Sequence, residues 1–136
     1  MREPEKVGRM SLDGHIREWS LERGANPNRI AVGPDGALWF TELGLNRIGR
    51  ITTRGKLTEF PVEGGPVGIT AGRDGALYAV LANSRELARV DLSGRVTGRW
   101  GLPGAVLALQ VATGRGHDMW VTDSSGGHVY QVTPYK

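Results

Sequence analysis

The chain contains no cysteine, which excludes disulfide bridges and thiolate metal sites and leaves the fold to packing and strand pairing. That composition suits a cytoplasm, and a cytoplasmic location is the expectation. No run approaches the roughly 20 apolar residues that cross a bilayer as a helix. The opening MREPEKVGRM is charged and lacks the apolar stretch of a secretory signal. The formal charge is +3, yet Arg9, Arg29, Arg47, Arg50 and Arg89 stand singly, without a basic cluster or an aromatic stacking platform. Neither nucleic acid nor a membrane is therefore an expected partner. There is also no Walker-type phosphate loop, no HExxH zinc motif and no GxSxG nucleophile elbow.

What the chain has instead is repetition. Residues 29–62 and residues 68–101 carry nearly the same text, with Asp35-Gly36-Ala37-Leu38-Trp39 landing on Asp74-Gly75-Ala76-Leu77-Tyr78. Upstream, residues 6–19 match residues 47–60, pairing Gly8 with Gly49 and Trp19 with Phe60. Downstream, Met119 to Asp123 answer Leu38 to Glu42, and Val129 to Val132 answer Ile48 to Ile51. A period of about 40 residues made of short strands and glycine-rich turns marks β-propeller blades. The fold class expected is all-β, as one domain over residues 1–136 with repeats near 6–22, 27–62, 66–101 and 105–134. A chain of 136 residues can bury roughly two-thirds of its unfolded surface.

One repeat reads as four antiparallel strands, a to d from the hub outward. Residues 30–32 open strand a; Pro34-Asp35-Gly36 turns; Ala37 to Thr41 form strand b. Residues 47–51 alternate as strand c, Thr53-Arg54-Gly55 turns, and residues 56–60 form strand d before Pro61 stops the pairing. The whole chain then reads c-d, a-b-c-d, a-b-c-d, a-b-c, about three four-stranded blades. Propellers close with at least four blades, so this set is part of a longer ring, a unit that completes a ring as a homo-oligomer, or an open arc with unusual caps. Strand exchange, with residues 6–19 completing the blade begun by residues 109–123, is a further way to cover an edge.

The phrases GPDGALWFTE (residues 33–42), NRIGRIT (46–52) and LTEFPV (57–62) closely resemble the repeat of the virginiamycin B lyases, also called streptogramin B lyases. The resemblance implies a seven-bladed propeller that opens a cyclic depsipeptide antibiotic by elimination. It further implies Mg2+ held by carboxylates to polarise the ester carbonyl, and a histidine that removes the neighbouring α-proton so that the threonine-derived oxygen leaves. A small cyclic peptide is the implied ligand. In that family the histidine follows a proline at the start of an innermost strand. The matching places here hold Pro27-Asn28-Arg29-Ile30, Pro66-Val67-Gly68-Ile69, and Ala108-Leu109-Gln110-Val111 (or, with a gap, Pro103-Gly104-Ala105-Val106). None supplies an imidazole, so this stretch resembles scaffold repeats more than a catalytic blade.

Among the residues themselves, Glu42 and Asp123 recur just past strand b and are the candidate metal ligands, a hard divalent cation preferring oxygen donors from several loops. The same placement also suits acceptors for backbone or arginine hydrogen bonds. Of the three histidines, His15 lies in a c-d turn and His128 opens strand c, both expected toward the outside. His117, in a turn beside Asp118, is the candidate base. Arg9, Arg50 and Arg89 recur on strand c, as if pairing with an acid of the neighbouring blade. Trp39, Tyr78 and Trp120 recur on strand b and are expected to fill the space between blades. The loops at residues 22–28, 82–86 and 112–117 break the repeat and are where a scaffold carries specificity.

Overall fold

The computed structural model describes residues 4–134. Its thirteen strands fall into four antiparallel sheets in chain order. Strands β1 (Lys6–Met10) and β2 (Ile16–Ser20) form a two-stranded half-blade I. Blade II is β3 (Pro27–Val32), β4 (Leu38–Glu42), β5 (Arg47–Ile51) and β6 (Leu57–Pro61). Blade III is β7 (Pro66–Ala71), β8 (Leu77–Leu81), β9 (Glu86–Val90) and β10 (Val96–Gly101). A three-stranded blade IV contains β11 (Ala108–Thr113), β12 (Met119–Asp123) and β13 (His128–Val132). The expected order c-d, a-b-c-d, a-b-c-d, a-b-c is the observed one. A single 3-10 turn, Leu43–Leu45, lies between β4 and β5. Among the described residues no helix is long and apolar enough to cross a membrane.

Each sheet is a meander, so sequence neighbours pair and the short turns fix the register. The inner strands β3, β7 and β11 lie side by side. They are stitched by Thr41 Oγ1 donating to the Val67 carbonyl (2.7 Å) and Thr113 Oγ1 donating to the Ala71 carbonyl (2.6 Å). Three apolar layers separate the sheets. Half-blade I meets blade II through Val7, Trp19, Phe40 and Ile51. Trp39, Ile48, Ile69 and Leu77 lie between blades II and III, and Tyr78, Leu87, Met119 and Val121 between III and IV. Half-blade I and blade IV remain separate sheets, so within one chain no strand exchange is made between them.

The repeated arginines correct one expectation. Arg50 Nε donates to Asp35 Oδ2 (2.8 Å) and Arg89 Nε to Asp74 Oδ2 (2.9 Å); each partner is the acid of the same blade's a-b turn, not of the neighbouring blade. The turn acid also accepts from Trp39 Nε1 in blade II and from the Tyr78 hydroxyl in blade III. Acid, aromatic and arginine are thus one unit, four and fifteen residues apart. Burial opposes ionisation of Asp35, but the Arg50 and Trp39 bonds hold its carboxyl below the usual range. The rings lie over Gly33 and Gly72, where a Cβ would meet Trp39 at 2.4 Å and Tyr78 at 2.5 Å.

A second expectation is met only in part. Trp39 and Tyr78 are buried between blades as anticipated, but Trp120 is 41% exposed. Trp39 and Tyr78 have a neighbouring sheet on that face, whereas Trp120 lies on the last sheet of the described set.

Candidate functional site

The site is the rim where each inner strand begins and each strand b ends, because the register sets Pro27 opposite Glu42, Pro66 opposite Leu81 and Ala108 opposite Asp123. Immediately after those positions all three inner strands carry a bulge, between Pro27 and Ile30, Pro66 and Ile69, and Ala108 and Gln110. A bulge twists the strand and re-aims a side chain, which makes it a common support for functional groups. The residues at the bulges are Asn28 and Arg29, Val67 and Gly68, and Leu109. In blade II the bulge is fixed by the Arg29 amide donating to Thr41 Oγ1 (3.1 Å).

Arg29 is exposed and spans the inner strands. Its Nη1 donates to the Asn28 carbonyl (3.0 Å). With the Gln110 amide turned so that its oxygen faces the guanidinium, Arg29 Nε and Nη2 donate to it at 2.5 and 3.1 Å. β11 packs closely on the start of β7, since a Cβ on Gly68 would lie 2.3 Å from the Leu109 carbonyl oxygen. The inner rim therefore presents hydrogen-bonding side chains from blades II and IV, and no imidazole at any of the three strand starts.

Glu42 is fully buried. Its Oε1 lies 3.2 Å from Arg47 Nε, which is ion-pair distance, yet neither carboxyl oxygen makes a well-aligned hydrogen bond. Burial raises its pKa to about 8, the nearby Glu59 carboxyl pushes the same way, and Arg47 opposes both. Strand alternation explains the grouping, since Glu42 faces Arg47 across β4-β5 and Glu59 is one pair further along the same face, opposite Gly49. Arg47 is also held by Glu22 at 2.8 Å.

Asp123 behaves in the opposite way. Its oxygens accept from the amides of Leu107 (2.7 Å), Val106 (3.1 Å) and Gly126 (3.1 Å), and His128 Nδ1 lies 3.3 Å away. The Leu107 amide is the main reason its pKa falls to about 2; burial works against the shift, and the Val106 and Gly126 amides and His128 add to it. An ionised carboxylate only accepts, so a hydrogen bond between the two requires the proton on His128 Nδ1.

The employment of Asp123 follows from the repeat. The loop before strand a is latched by the residue that precedes strand c of the previous blade. Glu5 accepts from the Gly24 and Asn26 amides, and Asn46 Oδ1 accepts from the Gly65 amide (2.8 Å). At the next equivalent place stands Arg85, whose side chain cannot accept a hydrogen bond, and there Asp123 takes the loop amides from within its own blade.

These arrangements decide how the candidate residues fit Mg2+. Glu42 and Asp123 lie on blades II and IV with Leu81 at the equivalent place between them, so a whole blade separates the two carboxylates. Mg2+ needs oxygens at about 2.1 Å. Glu42 is fully buried with Arg47 at ion-pair distance, and Asp123 is committed to backbone amides. No group of three or more Asp, Glu or His among the described residues is placed to hold a metal. The carboxylates present do not fit the ion.

His117 sits in the exposed turn between β11 and β12, whereas Asp123 is at the far end of β12, roughly 13 Å away along the strand. Its neighbour Asp118 accepts from Gln131 and Thr133. The expectation that His128 points outward misses its Asp123 contact. The signal was in the repeat, because the spacing from Asp123 to His128 equals that from Glu42 to Arg47. His15 pairs with Asp13 at 2.9 Å on the exposed β1-β2 turn.

Comparison with known proteins agrees with the fold and the motifs. The model of the virginiamycin B lyase family matches residues 1–136. A virginiamycin B lyase of Nocardia farcinica (strain IFM 10152) is 37% identical over 91 residues, covering 67% of this chain and 32% of that protein. Among solved structures, a catalytically inactive histidine-to-alanine virginiamycin B lyase from Staphylococcus aureus with quinupristin superposes at a TM-score of 0.90 and 38% identity. The match covers 95% of this chain and 45% of that one. A streptogramin B lyase gives 0.83 and 31% identity, over 96% of this chain and 48% of that one. The chain spans about a third of the curated relative and about half of these solved lyases. On its repeats, its sheets and these matches, the chain belongs to the virginiamycin B lyase family.

Proposed function

We propose that this chain supplies blades of a lyase-type propeller whose inner rim holds a cyclic depsipeptide of the streptogramin B class, without itself supplying the base or the metal of the elimination. The observation that carries the reading is the identity of the three bulged inner-strand starts. Ring opening by elimination needs a group that takes the α-proton near neutral pH, and Asn28, Val67 and Leu109 have none. The Asn28, Arg29 and Gln110 side chains offer amide and guanidinium groups suited to the carbonyl oxygens of a peptide ring. A relative of this fold was crystallised with quinupristin, which supports the ligand class.

The carboxylates that recur on the rim are accounted for by folding. Because Glu42 is buried beside Arg47 and Asp123 latches a loop, the reading includes no Mg2+ site formed by this chain alone. A second reading, a non-catalytic scaffold that binds another protein, is favoured by the open edge of half-blade I. Incubating the 136-residue chain with quinupristin and Mg2+, and separating products by chromatography because elimination leaves the mass unchanged, tests the proposal. The expected result is an unshifted substrate peak together with saturable broadening of the Arg29 and Gln110 side-chain NMR signals. Ring opening would overturn the statement about the base, and unperturbed Arg29 and Gln110 signals at saturating peptide would overturn the ligand site.

A further inference from the structure

Ile30 pairs with Phe40, Ile69 with Ala79 and Val111 with Val121, so the residues before them, Arg29, Gly68 and Gln110, occupy one equivalent place on the three inner strands. The repeat breaks there. The outer two strands carry long polar side chains, both exposed, and the middle strand carries a glycine. Arg29 and Gln110 thereby join the strands on either side of β7. Gly68 is what lets β11 come this near, because a Cβ there would also lie 2.9 Å from the Gln110 Cα.

A guanidinium offers N–H donors in a fixed fork and accepts nothing. On Arg29, Nη1 donates to the Asn28 carbonyl at 3.0 Å and to the Asn28 side-chain oxygen at 3.3 Å. The edge formed by Nε and Nη2 is the one with which arginine grips an oxygen from two sides, and it is filled by the Gln110 amide oxygen at 2.5 and 3.1 Å. An amide oxygen is also the acceptor that a peptide ring presents. The two cannot sit on one fork together.

We propose that Gln110 is a specificity-determining residue of the inner rim: its amide oxygen stands in for a carbonyl oxygen of the cyclic peptide on the Arg29 fork, and the ring binds by displacing it. The inference rests on the ligand reading above and adds what selects the ligand. Exchanging one amide for another on the same donors is nearly even in hydrogen-bond energy, so the ring stays only when its other contacts favour it. A ligand without an accessible carbonyl oxygen at that place leaves Gln110 on the fork and is rejected, a discrimination made by a resident competitor. The open fork is the competent state, and the apparent affinity is reduced by the fraction of molecules in which it is open.

Quinupristin is the probe, titrated into the 136-residue chain and into three variants at Gln110, an exposed position where substitution should leave the melting temperature unchanged. Gln110→Ala and Gln110→Met lack the amide oxygen and should tighten binding at least about threefold; the Met variant keeps the length of the side chain and so excludes relief of crowding as the cause. Gln110→Glu puts a carboxylate on the fork, an acceptor about twice as strong, and should weaken binding at least about tenfold. Without peptide, the Arg29 Nε–H NMR signal should exchange with water faster in the Ala variant and slower in the Glu variant than in the parent. Binding that the Ala and Met changes weaken or leave alone would overturn the displacement while leaving the ring at the rim. Unchanged Arg29 Nε–H exchange in the peptide-free variants would overturn it too. Absence of saturable binding in the parent and in every variant would overturn the ligand reading and this inference with it.

Discussion

Ile30 and Ile69 stand at the same place on the first strand of consecutive blades, yet Ile30 is 54% exposed and Ile69 is 7% exposed. The same contrast separates Trp120 from Trp39 and Tyr78. Sequence tells each strand which face is apolar, and a neighbouring sheet decides whether that face is dry. Blade III has sheets on both sides, and every residue of β8 is buried. Among the described residues, half-blade I and blade IV have a sheet on one side only. Among the described residues the repeated positions are therefore covered in blade III, while Ile30 on the side of half-blade I and Trp120 on blade IV are not.

The largest test of that contrast is a pair of truncations. Trp39→Ala should cost about 3–5 kcal/mol, the usual range for deleting a buried ring. Trp120→Ala should cost clearly less, about 2 kcal/mol, since 41% of that residue already faces water. Denaturant midpoints measure both, and equal losses would break the comparison.

A smaller effect, of opposite sign at two places, comes from the rim carboxyls. Glu42 has an ordinary pKa of 4.5 and holds its proton in the fold up to about 8. The folded form binds more protons than the unfolded one between those values, so stability falls as pH rises through that window. Glu42→Gln should flatten the fall and stabilise the chain at pH 8.5, on the order of 1–2 kcal/mol for relieving a buried charge with an imperfect partner. Asp123 titrates at about 2 instead of 3.8. Its contribution is complete above the ordinary value and is lost as pH falls toward 2. Asp123→Asn should lower the melting temperature at neutral pH and abolish that acid loss. Thermal melts from pH 2 to 9 distinguish the two; matching profiles would contradict the separate roles given to them.

Strand order and blade number were legible because a period of about 40 residues repeats the turn Asp-Gly and the strands around it. The family was legible in residues 33–62, where the wording is densest. Side-chain partnerships were not. The spacing between Asp35 and Arg50 fits a contact within a blade or across blades, and only the a-b turn folding back beside β5 decides for the former. Glu42 and Glu59 are far apart in sequence and meet because two hairpins place them on one face. The exposure of Trp120 depends on what lies beside the last sheet, which no local pattern encodes.

Native-state hydrogen exchange on the 136-residue chain tests most directly whether neighbouring sheets, rather than local sequence, set burial. The account predicts the slowest amides in β7, β8 and β9 and markedly faster exchange in the equivalent strands β1, β3 and β13. Uniform protection of equivalent strands along the chain would contradict it.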